Sequence, residues 1–182
     1  LLLPMREPTR HEKARTVGGN PASFRLFMQE RGVVFWLLAM GFSLIGVSIA
    51  AYLSWAPAFM MRVHGWSIAR VGAVYGGILL VFSTSGILMG GWWVDRLAAR
   101  GFKDAVLKVA VAGSVLALPF AIGAPFAPTG EMAMAIIAVM SFAFGLSQGL
   151  PATAFQAVAP NRVRARVIAL YLLVGNIIAF TV

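Results

Sequence analysis

Residues 68–101 read IARVGAVYGGILLVFSTSGILMGGWWVDRLAARG, an apolar block over 68–94 followed at once by Asp95, Arg96 and Arg100. A helix of about 20 mostly apolar residues crosses the roughly 30 Å hydrocarbon core of a bilayer. Backbone N–H and C=O groups in lipid must be paired within their own segment, so the block is interpreted as a transmembrane helix. Asp95 and Arg96 then lie where this helix leaves the membrane.

Four further apolar blocks have the same character: 33–61, 105–127, 132–158 and 167–182, with charged residues near their ends. The 182-residue chain is 60% hydrophobic and 12% charged, whereas a soluble domain is about half apolar and about a quarter charged. A globule of this size cannot hide so much apolar surface. The sequence therefore predicts an all-α membrane protein and excludes a soluble enzyme and a disordered chain.

The basic residues predict the orientation of the helices. Thirteen of the 15 Lys and Arg residues fall in alternate connections, before 33, around 95–108 and at 162–166, and only Arg62 and Arg70 flank the others. Connections rich in Lys and Arg face the cytoplasm. The net charge of +9 does not indicate nucleic-acid binding, because membrane helices separate the basic clusters.

A short internal repeat relates two of the blocks. Residues 70–75 (RVGAVY) and 166–171 (RVIALY) share the pattern R-V-x-A-aliphatic-Y at an offset of 96 residues. The offset spans three helices, so the two copies enter the membrane from opposite sides, as in an inverted repeat.

The segment 91–101 (GWWVDRLAARG) resembles the G-x-x-x-D-R-x-G-x-R signature of the major facilitator superfamily. Gly91, Asp95, Arg96 and Arg100 match, and Ala98 replaces the second glycine. Residues 52–57 (YLSWAP) and the stretch from Gly149 to Asn176 resemble the Spinster-like branch of that superfamily.

The resemblance implies a major facilitator half-bundle with inverted three-helix repeats, truncated at both ends. It would comprise the end of a preceding helix (1–4), a cytoplasmic central loop with a short interfacial helix after Ser23 (5–32), and a carboxy-terminal transporter half (33–182). Its partners would be the bilayer, the missing amino-terminal half and a small or lipid-like substrate, with no nucleic acid. We expect a multi-pass protein of a bacterial inner membrane.

The expected activity is secondary transport by alternating access of a small or amphipathic solute. The alternatives are the branch of proton symporters for sugar acids and organic anions, and a membrane scaffold or sensor that transports nothing. By the resemblance, Gly91, Asp95, Arg96 and Arg100 belong to an inner gate, in which Asp95 meets a helix N-terminus of the missing half. Asp95 stands at a helix C-terminus, where its charge is unfavourable, so Arg96 and Arg100 are also candidate partners.

Polar side chains within the apolar blocks mark a candidate substrate path. Gln148 and Gln156 share one helical face, and Pro57 and Pro151 can interrupt their helices; interrupted helices in two repeats indicate a transporter site. The full set of candidates is Tyr52, Trp55, Tyr75, Gln148, Gln156 and Asn176. The alternative for these residues is hydrogen bonding between helices or, for Trp55, an interfacial aromatic belt.

No constellation of catalytic or metal-binding residues is present in the sequence. The chain has no Cys, its two His residues are 53 positions apart in connections, and no acidic residue lies inside an apolar block. The sequence therefore predicts no enzyme, no catalytic residue, no metal and no cofactor. If transport is coupled to protons, the carboxylate must come from the missing half.

Overall fold

The computed structural model describes residues 21–161 and 163–181, with side chains for 24–161 and 163–178. The predicted end of a preceding helix and most of the predicted central loop lie outside this range. Within it, the elements are α1 Pro21–Val63, α2 Ile68–Ile78, a π turn Leu79–Ser83, α3 Thr84–Ala99, α4 Ala105–Gly123, a 3₁₀ turn Ala124–Phe126, α5 Gly130–Gln148, α6 Leu150–Val158 and α7 Arg164–Thr181. The all-α fold predicted from the sequence is confirmed.

Consecutive elements join into continuous helical stretches, here called rods. Four rods are long and apolar enough to cross a membrane: Phe24–Val63, Ile68–Ala99, Ala105–Phe126 and Gly130–Val158. They overlap the four apolar blocks 33–61, 68–94, 105–127 and 132–158, and the first rod begins nine residues before its block. Large apolar side chains on the surfaces of these rods are exposed, such as Leu80 (73%) and Leu88 (69%). Contiguous apolar surface of this kind needs lipid or another protein as its neighbour.

The first rod differs from the prediction of a short interfacial helix after Ser23. Helix α1 runs without a break from Pro21 to Val63, so the residues of the predicted short helix form its first turns. Phe27 lies buried in the same apolar cluster as Phe35 and Phe155, and this packing extends the helix. Pro57 lies inside α1 without ending it.

Helix α5 is the centre of the bundle and packs against α3 and α4 through glycines. A Cβ on Gly145 would lie 2.6 Å from the Ser83 carbonyl oxygen and 3.0 Å from the Gly86 Cα, and a Cβ on Gly113 would lie 2.7 Å from the Ser147 Oγ. Only small residues allow membrane helices to approach so closely. These contacts set the position of the π turn relative to α5.

The two copies of the repeat occupy equivalent places in their helices. Arg70 and Arg166 are each the third residue of α2 and α7, and the valines that follow, Val71 and Val167, are both buried (4% and 1% exposed). The matching pattern thus corresponds to the same burial at the start of two different helices.

Candidate functional site

Two irregular helical segments lie next to each other in the middle of the bundle. The rod Ile68–Ala99 changes to a π turn at Leu79–Ser83, and the rod Gly130–Val158 breaks at Gly149, two residues before Pro151. The break fits the predicted interruption at Pro151, because a proline has no N–H to donate to the carbonyl four residues before it, here that of Ser147. Sequence reasoning missed the π turn, since LLVFS carries no helix-breaking residue.

The predicted path residue Gln148 is exposed and ends α5 beside this π turn. Its Oε1 lies 3.5 Å from the Oγ of Ser83, across the two rods. Ser83 was absent from the predicted path. The structure therefore gives Gln148 a polar neighbour at the point where both rods depart from α geometry.

Tyr52 and Tyr75 join three helices through their hydroxyls. The Tyr75 hydroxyl donates to the backbone carbonyl of Tyr52 (3.3 Å), and the Tyr52 hydroxyl donates to the carbonyl of Ala121 in α4 (2.6 Å). Pro125 has no N–H to offer that carbonyl. These bonds match the interhelical alternative raised for these tyrosines.

The other path candidates lie apart from one another. Trp55 is 67% exposed and lines a mostly apolar pocket of about 450 Å³ together with Phe59 and Arg62. Asn176 is exposed, and its Nδ2 donates to the Leu172 carbonyl of its own helix (2.8 Å).

Gln156 lies at the end of the bundle where α1 starts and α6 meets α7, here called the Arg-rich end. It lines a groove of about 650 Å³ together with Glu30, Arg31 and Arg164. The Arg164 Nη2 donates to the Gln156 carbonyl (3.3 Å), whereas the Arg164 Nε is buried without a hydrogen-bond partner among the described residues. The six path candidates thus do not form one cluster; Tyr52 with Tyr75 is the pair among them that shares a hydrogen bond.

The signature segment ends α3 at the Arg-rich end. Asp95 and Arg100 are exposed, and the Arg96 guanidinium carbon lies 5.4 Å from the centre of the Trp92 ring. Within the described ranges Asp95 forms no ion pair, so the expected local pairing with Arg96 or Arg100 is not present. Gly91, one turn before Asp95, has open space around the position of a Cβ.

The turn after the signature is built by Gly101 and Lys108. Gly101 has φ +88°, and the bonds Phe102 N–H to Leu97 O and Gly101 N–H to Ala98 O close the helix end, the Schellman pattern that favours glycine. Lys108 lies over the Phe102 ring and 3.1 Å from the Asp104 carboxylate. Its hydrogen bond holds the pKa of Asp104 below the ordinary aspartate value.

An ion pair that the sequence did not predict lies at the opposite end of the bundle. The Arg70 Nη2 contacts the Glu131 Oε1 at 2.7 Å and so links the start of α2 to the start of α5. The Arg70 guanidinium also stacks on the Trp66 ring, 3.9 Å from its centre. The two residues are 61 positions apart, and no local pattern in the sequence connects them.

The sequence model of the Major Facilitator Superfamily matches residues 1–182. The chain belongs to this superfamily. Membership makes it part of a transporter family and confirms the resemblance found in the signature segment. Among the residues that the structure describes, no group of three or more His, Cys, Asp or Glu side chains is placed to hold a metal ion.

A solved structure shares the fold over most of the chain. It is the crystal structure of a bacterial homolog of the human lysosomal transporter Spinster, inward-facing and unoccupied, with a TM-score of 0.72 and 26% identity. The alignment covers 90% of this chain and 35% of that one. The likeness supports the predicted Spinster-like character.

Two curated relatives match shorter stretches. An MFS-type efflux pump of Mycolicibacterium smegmatis is 29% identical over 120 residues, which are 66% of this chain and 28% of that protein. The uncharacterized transporter YybO of Bacillus subtilis is 30% identical over 69 residues, 38% of this chain and 16% of that protein. The chain therefore spans about a third or less of the proteins that it matches.

Proposed function

We propose that this chain is the carboxy-terminal half of a secondary transporter that moves a small or amphipathic solute by alternating access. In such proteins the substrate lies near the midplane, and rocking of one half against the other exposes it to each side in turn. The Arg-rich end faces the cytoplasm, since basic connections stay on that side, and the membrane is the inner membrane of a bacterium. Superfamily membership supports this function.

The observation that carries the proposal is that Asp95 forms no ion pair with any residue that the structure describes. Its charge stands in the last turns of α3, where the partial negative charge of the helix end is unfavourable for a carboxylate. Neither Arg96 nor Arg100 pairs with it, and Gly91 on the same helix leaves room for another backbone. In the proposed gate, a helix N-terminus of the other half lies in the space beside Gly91, and its partial positive charge interacts favourably with Asp95. This contact closes the cytoplasmic side.

The test compares Asp95→Asn with the matched control Asp104→Asn in the whole transporter, reconstituted in proteoliposomes. Asp104 is exposed at the same end but pairs with Lys108. Flux is measured with three probes: lysophosphatidylcholine, gluconate and ethidium. Gate opening is measured by a membrane-impermeant maleimide acting on Gln156→Cys; this chain has no cysteine of its own, and any cysteine elsewhere in the transporter is replaced.

Asp95→Asn should lower flux and raise maleimide labelling at position 156, because the cytoplasmic contact is weakened. Asp104→Asn should leave both close to wild type. Equal flux and equal labelling for wild type and Asp95→Asn would remove Asp95 from the gate. A wild type that moves none of the probes, with labelling that never changes between conditions, would favour the scaffold alternative.

A further inference from the structure

Ser83 and Gln148 lie where the backbone leaves regular α geometry in two neighbouring rods. The π turn Leu79–Ser83 falls near the middle of the rod Ile68–Ala99, and Gln148 is the last residue before the break at Gly149. π turns inside α-helices occur frequently at functional sites, and discontinuous membrane helices hold the substrates of many transporters. Helices that only pack against lipid can be regular throughout, so the π turn and the break at Gly149, which face each other, indicate a functional site.

The packing holds the two residues in place. Gly145 brings α5 so close to the π turn that a Cβ on it would lie 2.6 Å from the Ser83 carbonyl oxygen. Gly145 stands one turn before Gln148, so this contact fixes the height of the Gln148 side chain against Ser83. The position of the pair is therefore set by backbone contact and does not depend on the pair's own hydrogen bond.

The pair leaves hydrogen-bonding capacity unused. The Ser83 Oγ to Gln148 Oε1 distance is 3.5 Å, which is long for an O–H···O bond. Gln148 is exposed, and within the described part of the chain its amide N–H₂ makes no hydrogen bond. An amide left unpaired in hydrocarbon is costly, so water or a polar group beyond the described residues must meet it.

The chemistry of the pair selects an uncharged partner. A serine hydroxyl and a glutamine amide each donate and accept hydrogen bonds, and neither carries charge. The neighbouring Thr84 and Ser85 are also neutral, and Ser85 already donates to the Phe82 carbonyl at 2.9 Å. A carboxylate or an ammonium bound here would lack a counter-charge from these residues, whereas a hydroxyl, a carbonyl or an amine N–H would be satisfied.

We propose that Ser83 and Gln148 form a mid-depth subsite that binds an uncharged hydrogen-bonding group of the transported solute. This subsite rests on the transport function proposed above. It makes Ser83, which lies outside the predicted path, a specificity-determining residue.

The first test needs no transported substrate. Ser83→Cys and Gln148→Cys are introduced one at a time into the whole transporter, with cysteines elsewhere replaced, and treated with a membrane-impermeant maleimide from each side. Both thiols should be labelled, because the subsite opens to water. Leu116→Cys, exposed on the middle of α4, is the control facing lipid or protein and should stay unlabelled. Protection of positions 83 and 148 from both sides would overturn the subsite, since another part of the protein would then cover the pair permanently.

The second test uses whichever of lysophosphatidylcholine, gluconate and ethidium the wild type moves; each carries an uncharged hydrogen-bonding group. Ser83→Ala and Gln148→Ala should each raise the KM about three- to tenfold, the effect of one lost neutral hydrogen bond, with a smaller change in kcat. The control Ser85→Ala should leave the KM unchanged.

The outcomes of the two tests separate the subsite from the transport function. Labelled thiols combined with an unchanged KM in both alanine variants would overturn the subsite and leave the transport function standing. Absence of flux of all three probes in the wild type would count against the transport function alone, while the labelling result still decides whether the pair opens to water.

Discussion

The Tyr52 hydroxyl donates a 2.6 Å hydrogen bond to the Ala121 carbonyl, 69 residues away. Pro125 stands four residues after Ala121, where a regular helix would supply the N–H for that carbonyl. A side chain of α1 thus completes the end of α4, and the Tyr75 hydroxyl ties α2 to the same residue. The bond between α1 and α4 thus uses a carbonyl that Pro125 leaves without a helical donor.

Tyr52→Phe should destabilise the protein by about 1–2 kcal/mol, because a partly buried carbonyl loses its donor. The measurement is thermal unfolding of the whole transporter in detergent. Tyr171→Phe is the matched control, since Tyr171 packs on Phe155 (4.5 Å between ring centres) and its hydroxyl makes no hydrogen bond with the residues that the structure describes. In a Pro125→Ala background residue 125 regains an N–H, so Tyr52→Phe should cost less there. An equal cost in both backgrounds would contradict the role assigned to Pro125.

Two adjacent glycines of α3 should respond differently to alanine. A Cβ on Gly90 would collide with the backbone of Leu146, whereas a Cβ on Gly91 meets open space. Gly90→Ala should therefore cost about 1–3 kcal/mol through overpacking. Gly91→Ala should leave the unfolding temperature near wild type and, by the proposed gate contact, lower the flux. Equal unfolding temperatures for the two variants would contradict the close contact between α3 and α5.

Gly101→Ala should destabilise the turn after the signature segment by about 1–2 kcal/mol, because an L-residue is strained at φ +88°. Gly123→Ala is the control, since Gly123 has φ −76° and an open surrounding. Thermal unfolding measures both. A Gly101→Ala variant as stable as Gly123→Ala would show that the turn adopts another conformation.

Asp104 should make the stability depend on pH in a defined direction. Its pKa is lowered in the folded protein, chiefly by the hydrogen bond from Lys108. The ion pair therefore contributes fully above the ordinary aspartate pKa of about 4, and the contribution is lost as the pH falls through the lowered value. The unfolding temperature of wild type should exceed that of Asp104→Asn at neutral pH, and the gap should close in acid and at high salt. A difference in unfolding temperature that grows as the pH falls would contradict the lowered pKa of Asp104.

The fold was predictable from the sequence because every backbone N–H and C=O group inside lipid must be hydrogen-bonded within its own segment. A block such as 68–94 must be helical, and its length and the charges at Asp95 and Arg96 mark where it leaves the membrane. The signature residues Gly91 and Asp95 identified the family for the same local reason, since the pattern is contained in a few adjacent positions. The extent of α1 was less predictable, because the packing of Phe27 extends this helix.

The partners of the candidate site residues were not predictable in this way. Tyr52 and Gln148 were selected by one rule, polarity inside an apolar block, yet Tyr52 is bonded to Ala121 and Gln148 faces the π turn at Ser83.

By itself, the sequence determined the helical membrane fold, the family and the residues at the ends of the helices, because these depend on local hydrophobicity and short motifs. The tertiary structure alone decided the π turn, the Arg70–Glu131 ion pair and the juxtaposition of Ser83 with Gln148. These features arise from close contact between glycines on different helices and from bonds between residues about 60 or more positions apart, which no local pattern encodes.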